Sequence, residues 1–349
     1  MHNPWQAYLD QLGAQRSSPL SEAELGVVER FHGDEPSRVI VGDHLAIIKV
    51  RGDESEKFLQ GQLTCDMKVV VAGHTRLAMH LSLKGRGMTS LRAMPAHGGV
   101  DLIVNRELAQ DCLAALQKYA LFSKTTLTLD ESRVALLFTS PPSHRLQAEE
   151  QLNAYHIPVP AQPGEALFAE HTGVCRLENS QRYLLLLDHS HAQKMLEQTP
   201  VSDIGAAQHW RLSDILAGEG HIHAASRDLW LPQVLNYDVL DGVNFKKGCY
   251  LGQEIVARMH FKGKLKQRMQ HWSWPADSAP RLEPGTALRD QHDKAIGEVV
   301  SSAANGNTCH ALVVLRLDHS GDLYRDSKPL QASRRELPYA VADLNAAAR

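Results

Sequence analysis

Leu77, Met79, Leu81 and Leu83 are apolar at every second position, and the run ends on Lys84-Gly85-Arg86-Gly87. Successive strand side chains point to opposite faces, so this alternation predicts a half-buried strand. The glycine-rich turn sends the chain back into a second strand from Met88. A sheet begun this way must have its apolar face covered. Helical periodicity offers the cover. Leu108, Cys112, Leu116 and Tyr119 recur on one helical face, after a predicted strand at Val100–Val104 with Asn105 placed as the cap. Upstream, His44–Val50 reads as a strand. Gly52–Glu56 reads as a helix start with Asp53 as cap and Glu56 three residues on, turning Phe58, Leu59 and Leu63 inward. The fold class is α+β.

A chain of 349 residues is expected to hold two or three domains. The first ~35 residues are polar and read as a peripheral arm or short helix. Between about 130 and 200, strand-like Val134–Phe138 and Tyr183–Leu187 alternate with helical Leu146–Tyr155 and His191–Gln198. Proline-rich joints at Pro141-Pro142 and Pro158–Pro163 punctuate this α+β unit. A helix through Trp210, Arg211, Ile215 and Leu216 stops at Gly218-Glu219-Gly220. After Lys264, short strands near Gln270–Trp274, Ala295–Ser301 and Ala311–Leu317 suggest a small β-barrel or sandwich. The expected division is an arm at 1–40, a discontinuous core domain of 41–128 with 201–263, a ferredoxin-like α+β domain at 129–200, and a β-barrel at 264–349.

Composition narrows the setting. At 43% hydrophobic and 22% charged residues, the chain can bury a core and is not disordered. A formal net charge of −3 argues against a general nucleic-acid coat protein, though not against a local basic patch. Purely apolar runs such as Tyr183–Leu187 fall far short of the roughly 20 residues that cross a bilayer. The N-terminus lacks a signal-peptide pattern. Cys65, Cys112, Cys175, Cys249 and Cys309 are odd in number and scattered, with no Cys-x-x-Cys. A cytoplasmic, monomeric protein without a membrane partner fits these features.

Chemistry concentrates in Asn244-Phe245-Lys246-Lys247-Gly248-Cys249-Tyr250-Leu251-Gly252-Gln253-Glu254. Two glycines bracket a Cys-aromatic pair and suggest a tight, shaped loop before a helix from Gln253. A helix N-terminus and two lysines both favour the thiolate form of Cys249. The other four cysteines read as structural. Seven basic residues (Lys246, Lys247, Arg258, Lys262, Lys264, Lys266 and Arg268) face one acid, Glu254, in the same stretch. That local excess implies an anionic partner, a polyglutamylated cofactor or an RNA backbone. His221-Ile222-His223 and His189-Ser190-His191 lack a third ligand type nearby and read as incidental, so no metal site is expected.

Lys247-Gly248-Cys249-Tyr250-x-Gly252-Gln253-Glu254, continuing through Ala257-Arg258 and Phe261-Lys262-Gly263, resembles the signature of the YgfZ family, relatives of the glycine-cleavage T-protein. Gly52-x-x-Ser55-Glu56-Lys57-Phe58-Leu59-Gln60-Gly61-Gln62-Leu63-Thr64-x-Asp66 is similar to that family's N-terminal motif. Lys84-Gly85-Arg86 and Lys118-Tyr119-x-x-Phe122-Ser123-Lys124 are similar to two more of its blocks, and Arg211, Gly218, Pro232 and Asn236 fall at T-protein-like positions. The resemblance covers residues ~44–345. It implies a three-part, ring-like folate-binding fold with a C-terminal β-barrel, tetrahydrofolate as cofactor, and no tightly held metal. It also implies a role supporting iron–sulfur enzymes, among them radical enzymes that modify tRNA.

Three functions follow as alternatives: a folate-binding accessory protein without turnover of its own, a folate-dependent aminomethyltransferase, or an RNA-binding module with weak RNA contact. T-proteins carry an acidic pair on the strand after the glycine turn. Met88-Thr89-Ser90-Leu91-Arg92 has none, which disfavours the transferase. Cys249 is the expected working residue, as a redox group or a shared cluster ligand. Lys84, Arg86, Arg211, Lys247, Tyr250, Gln253, Glu254, Arg258 and Lys262 are the expected folate contacts. Lys84-Gly85-Arg86-Gly87 reads first as a plain hairpin turn, and Arg211 reads equally as a buried salt-bridge partner.

Overall fold

The structure, a computed structural model, describes residues 4–17, 26–31, 39–139, 145–169, 172–178 and 182–341. Pro141-Pro142 lies outside them. The chain divides into two compact units. The first comprises Met1–Leu59, Met67–Arg76 and Arg92–Trp210, and the second Gln60–Asp66, Leu77–Leu91 and Arg211–Arg349. Among the described residues no helix is long and apolar enough to cross a membrane.

In the first unit a six-stranded sheet runs in the order Ala166–Phe168, Thr172–Arg176, Arg182–Asp188, Arg133–Thr139, Val39–Val41, Ile204–Gly205. Its pairings are antiparallel except the last, where Ile204–Gly205 lies parallel to Val39–Val41. The apolar run Tyr183–Leu187 is the sequence mark of a strand buried on both faces. Tyr183, Leu185 and Leu187 join Trp5, Leu9, Met195 and Leu196 in one core cluster. Leu184 and Leu186 join Ile47, Ile103 and Trp210 in another. Of the arm or short helix expected at the N-terminus, the described residues show the helix. This Pro4–Gln11 helix buries Trp5 and Leu9, and Trp5 stacks on His189 at 5.5 Å.

Leu45–Arg51 pairs antiparallel with Gly99–Asn105 and with Thr126–Leu129. Arg76–Leu81 and Gly87–Ala96 are the remaining strands of this five-stranded sheet. Leu77–Leu81 is buried at every residue, so the predicted half-buried strand is covered on both faces. Leu83 lies outside it on the turn, 79% exposed. The Arg106–Ala120 helix buries Leu108, Ala109, Cys112, Leu116 and Ala120, whereas Tyr119 is exposed. Asn105 holds the cap position without a side-chain capping bond. The Ser55–Gln62 helix starts beyond Asp53, and Glu54 accepts the Lys124 N–H at 2.8 Å.

In the second unit seven antiparallel strands run Lys328–Pro329, Tyr324–Arg325, Ala287–Arg289, Ala295–Asn305, Thr308–Arg316, Gln267–Pro275, Ser333–Arg335. The sheet curls into half a barrel around Trp274, Leu288, Val299, Val313 and Leu315, in keeping with the barrel or sandwich expected there.

Two buried histidines make the second unit acid-sensitive. His80 is 4% exposed, and neither ring nitrogen has a hydrogen-bond partner among the described residues. Burial pushes its pKa down to about 4. Burial, then the neighbouring His310, does the same to His271, also to about 4. The unfolded imidazoles take up protons near pH ~6.5 while the folded ones stay neutral. Stability is therefore full above that pH and falls until about pH 4, with a limiting slope of one proton per histidine. Denaturant midpoints across this window should fall less steeply for His80→Leu than for the wild-type chain. Parallel curves would contradict the assignment.

Candidate functional site

The Cys249 loop is tied down by residues nearly two hundred positions upstream, all within the second unit. Thr64 donates its hydroxyl to the Gly242 carbonyl at 2.6 Å and accepts the Met79 N–H at 2.9 Å. The Asn244 N–H reaches the Thr64 carbonyl at 3.0 Å, and its side-chain amide donates to Asp66 at 3.2 Å. Asp66 also accepts from Gln60 at 3.0 Å. The Asn244 side-chain oxygen takes the N–H groups of Lys246 and Lys247, an Asx turn that sets the loop's course. The Leu251 N–H closes the loop onto the Gly61 carbonyl at 3.1 Å.

Lys247 is the keystone. Its ammonium donates to the carbonyls of Leu63 at 2.6 Å and Cys65 at 2.7 Å, and lies 4.9 Å from the centre of the Tyr250 ring. Burial pushes its pKa down to about 8. Of the two lysines expected to act on Cys249, this one spends its donors on backbone carbonyls, while Lys246 is exposed. Tyr250 is buried, its hydroxyl has no partner among the described residues, and burial pushes it up to about 12. Cys249 is exposed. Cys65, Cys112, Cys175 and Cys309 are buried.

Only one of the two loop glycines shapes the backbone. Gly252 caps the Gln253–Lys262 helix at φ 77°, and a Cβ there would stand 2.7 Å from the Ser82 carbonyl oxygen. Gly248 does not adopt the left-handed conformation, and a Cβ on it would meet nothing within 4 Å. The expectation that both glycines force a tight turn holds for Gly252 alone.

Gly252 is also where two sequence motifs meet. A Cβ on Gly85, at φ 71°, would contact Ile255 at 2.9 Å and the Gly252 carbonyl oxygen at 3.2 Å. The Lys84-Gly85-Arg86-Gly87 turn thus packs on the start of the loop's helix, with Lys84 and Arg86 exposed. Sequence reasoning missed Asp228. It accepts the Ser82 hydroxyl at 2.6 Å, its carbonyl takes Arg86 at 3.1 Å, and its N–H donates to Gly87 at 2.9 Å. Its φ of 56°, uncommon for a residue with a side chain, is the one trace such a contact leaves.

The helix turns Val256 inward, where its carbonyl accepts the Gln233 amide at 2.7 Å. Glu254, Arg258 and Lys262 recur every four residues on an exposed face, with Gln253 half-buried at the helix start. Beside them Phe245 stacks on His260 at 3.7 Å, and Phe261, 69% exposed, stands edge-on to both. Arg268 leaves the basic group. It is buried, donates to Asn236 at 2.7 Å and to Asp238 at 2.9 Å, and faces no external anion. Arg211 sits half-buried on the Ala207–Ala217 helix.

No family model matches the chain. It is 30% identical over 322 residues to the tRNA-modifying protein YgfZ of Sodalis glossinidius, spanning 88% of this chain and 94% of that one. The protein of the same name from Escherichia coli O157:H7 is 32% identical over 255 residues, 72% of this chain and 76% of its own. Among solved structures, the glycine cleavage system aminomethyltransferase T of Bartonella henselae superposes with a TM-score of 0.75. That match covers 96% of this chain and 97% of the other at 18% identity, which shows the shared fold. The chain belongs to the YgfZ family and is built on the fold of the T-protein.

Proposed function

We propose that this protein binds a tetrahydrofolate and supports iron–sulfur enzymes that modify tRNA, with Cys249 as its working thiol. The observation that carries this reading is the contrast within one loop: a single exposed cysteine on a backbone held rigid by Lys247, Thr64 and Asn244. A fixed, accessible thiol suits a redox group or one ligand of a cluster shared with a partner; one cysteine does not hold a four-thiolate cluster by itself.

The residues present fit a folate. Buried polar atoms without partners, both nitrogens of His80 and the hydroxyl of Tyr250, belong to the strand and loop that meet at Leu63. They suit a ring system rich in donors and acceptors. Lys84, Arg86, Arg258 and Lys262 supply exposed cations for the carboxylates of a glutamate tail. Curated relatives named as tRNA-modifying proteins and the T-protein fold support the same role.

The transferase reading is weaker, because the whole Gly87–Ala96 strand lacks a carboxylate. RNA contact is favoured as a second reading by the exposed Phe261 beside Lys262 and Arg258, since bases stack on aromatics flanked by cations.

The test combines binding and complementation. The purified chain is expected to bind tetrahydrofolate. Cys249→Ala should keep that binding while losing in-cell support of an iron–sulfur tRNA-modifying enzyme. Neutralising Lys262 with Lys264 should weaken polyglutamyl folate more than the monoglutamyl form. Full complementation by Cys249→Ala would remove the thiol from the mechanism, and absence of folate binding would remove the cofactor.

A further inference from the structure

The Ala207–Ala217 helix ends at Gly218, which takes φ 70° and turns the chain sharply. The Glu219 N–H returns to the Asp214 carbonyl at 2.9 Å, so the residue after the stop folds back beside the last helical turn. His221 follows two residues later. The result is a compact Asp-x4-Glu-x-His unit. Ligand atoms of Asp214, Glu219 and His221 all lie within 4.8 Å of one another. Asp214 is 8% exposed and Glu219 6%, with His221 half-buried above them.

The spacing of His221 and Asp214 is informative. His221 Nε2 stands 3.4 Å from Asp214 Oδ2. A charge-assisted hydrogen bond between such groups is shorter, about 2.7–2.9 Å. Two donors at about 2.0–2.2 Å from one zinc ion, at a tetrahedral angle, are separated by about 3.4 Å. Beyond the opposite edge of the imidazole, Ser90 Oγ lies 3.5 Å from His221 Nδ1, a long contact, and is itself fixed by the Ile222 N–H at 2.8 Å. A partner on the second nitrogen orients a ligating histidine and leaves the first nitrogen's lone pair free for a metal.

The neighbouring histidine has other work. The His223 N–H donates to Ser226 Oγ at 2.9 Å and opens a short helical turn at Ala224–Ser226. The histidine pair at 189 and 191 is likewise used locally: His189 stacks on Trp5 and His191 bonds Asp188 at 2.8 Å. The third ligand type missing from the linear pattern around His221 comes from both sides of the helix stop.

We infer that Asp214, Glu219 and His221 form a binding site for one divalent transition-metal ion, with zinc as a suitable occupant. Three protein ligands, two oxygen and one nitrogen, leave a fourth position for water or a substrate atom, as in zinc sites that are not closed structural ones. The site is separate from the thiol loop in its residues and does not depend on the folate reading.

The test uses the full-length chain stripped with a chelator and titrated calorimetrically with Zn²⁺. One equivalent is expected, with equal affinity in Cys249→Ala, because the exposed thiol is not a ligand. His221→Ala and Asp214→Asn should each weaken binding at least tenfold, and His223→Ala should bind like the wild type. Co²⁺ reports the ligand set without any substitution: bands of a nitrogen–oxygen site should appear, without the intense sulfur-to-cobalt absorption. Lack of saturable binding would leave the group an ordinary His–Asp pair and overturn the inference. So would binding that survives His221→Ala, a sulfur-to-cobalt band, or loss of binding in Cys249→Ala.

Discussion

Gly252→Ala is expected to destabilise the second unit by about 3 kcal/mol, while Gly248→Ala, four residues earlier in the same loop, stays within about 0.5 kcal/mol of the wild type. The difference is backbone geometry. Gly252 holds φ 77°, a left-handed conformation that costs a residue with a side chain roughly 1–2 kcal/mol. The new Cβ would also stand 2.7 Å from the Ser82 carbonyl oxygen and 3.1 Å from the Gly85 Cα. Both are backbone atoms of the facing turn, which cannot swing aside as a flexible side chain can, and overpacking of this kind costs a further 1–3 kcal/mol or so. Around Gly248 there is open space and no left-handed backbone. Urea midpoints of the two variants, compared at equal slope, decide the matter. Equal destabilisation would mean that the loop's shape is not set by Gly252.

How much of this could be read beforehand depends on whether the cause was local. The strand at Tyr183–Leu187 and the helix carrying Leu108, Cys112 and Leu116 were legible, because burial repeats at a period that neighbouring residues display. The exposed Cys249 among buried cysteines was likewise expected from its basic, glycine-bounded loop. What stayed hidden depends on partners far along the chain. Nothing in Lys247 itself says that its ammonium ends on the carbonyls of Leu63 and Cys65, more than 180 residues away. The same holds for Asp228 on the Ser82 hydroxyl. The first residues allow an arm or a short helix, and the choice between them is hidden for a related reason. A short polar helix with only Trp5 and Leu9 as anchors has a weak pattern, yet those two side chains fill the core. Around His221 the local signal was present, a glycine helix stop flanked by Asp214 and Glu219. A search for alternating histidines passes over it, because the fold-back at Gly218 is what joins the three.

The basic run needs the same separation of exposed from buried, and Arg268 supplies the test. Arg268→Ala is expected to cost about 3–5 kcal/mol, the range for removing one member of a buried ion pair. Lys264→Ala and Lys266→Ala, on exposed side chains, should cost less than about 0.5 kcal/mol each. Arg268 and Asp238 are each only 6% exposed at the side chain, and the guanidinium also donates to the Asn236 oxygen. Asn236 in turn donates to the Met269 carbonyl and to Tyr339, so the arginine anchors a network joining the Gln267–Pro275 strand to the preceding loop. Burial already raises the Asp238 carboxyl above its ordinary pKa, with Arg268 opposing the shift. Without the arginine that pKa must climb further. The deficit of Arg268→Ala should therefore be largest where Asp238 is ionised, and should shrink as falling pH protonates it. Pairing Arg268→Met with Asp238→Leu removes the orphaned charge and should recover much of the loss. A deficit independent of pH, with no recovery in the double variant, would show that Arg268 acts through packing of its stem rather than through its charge.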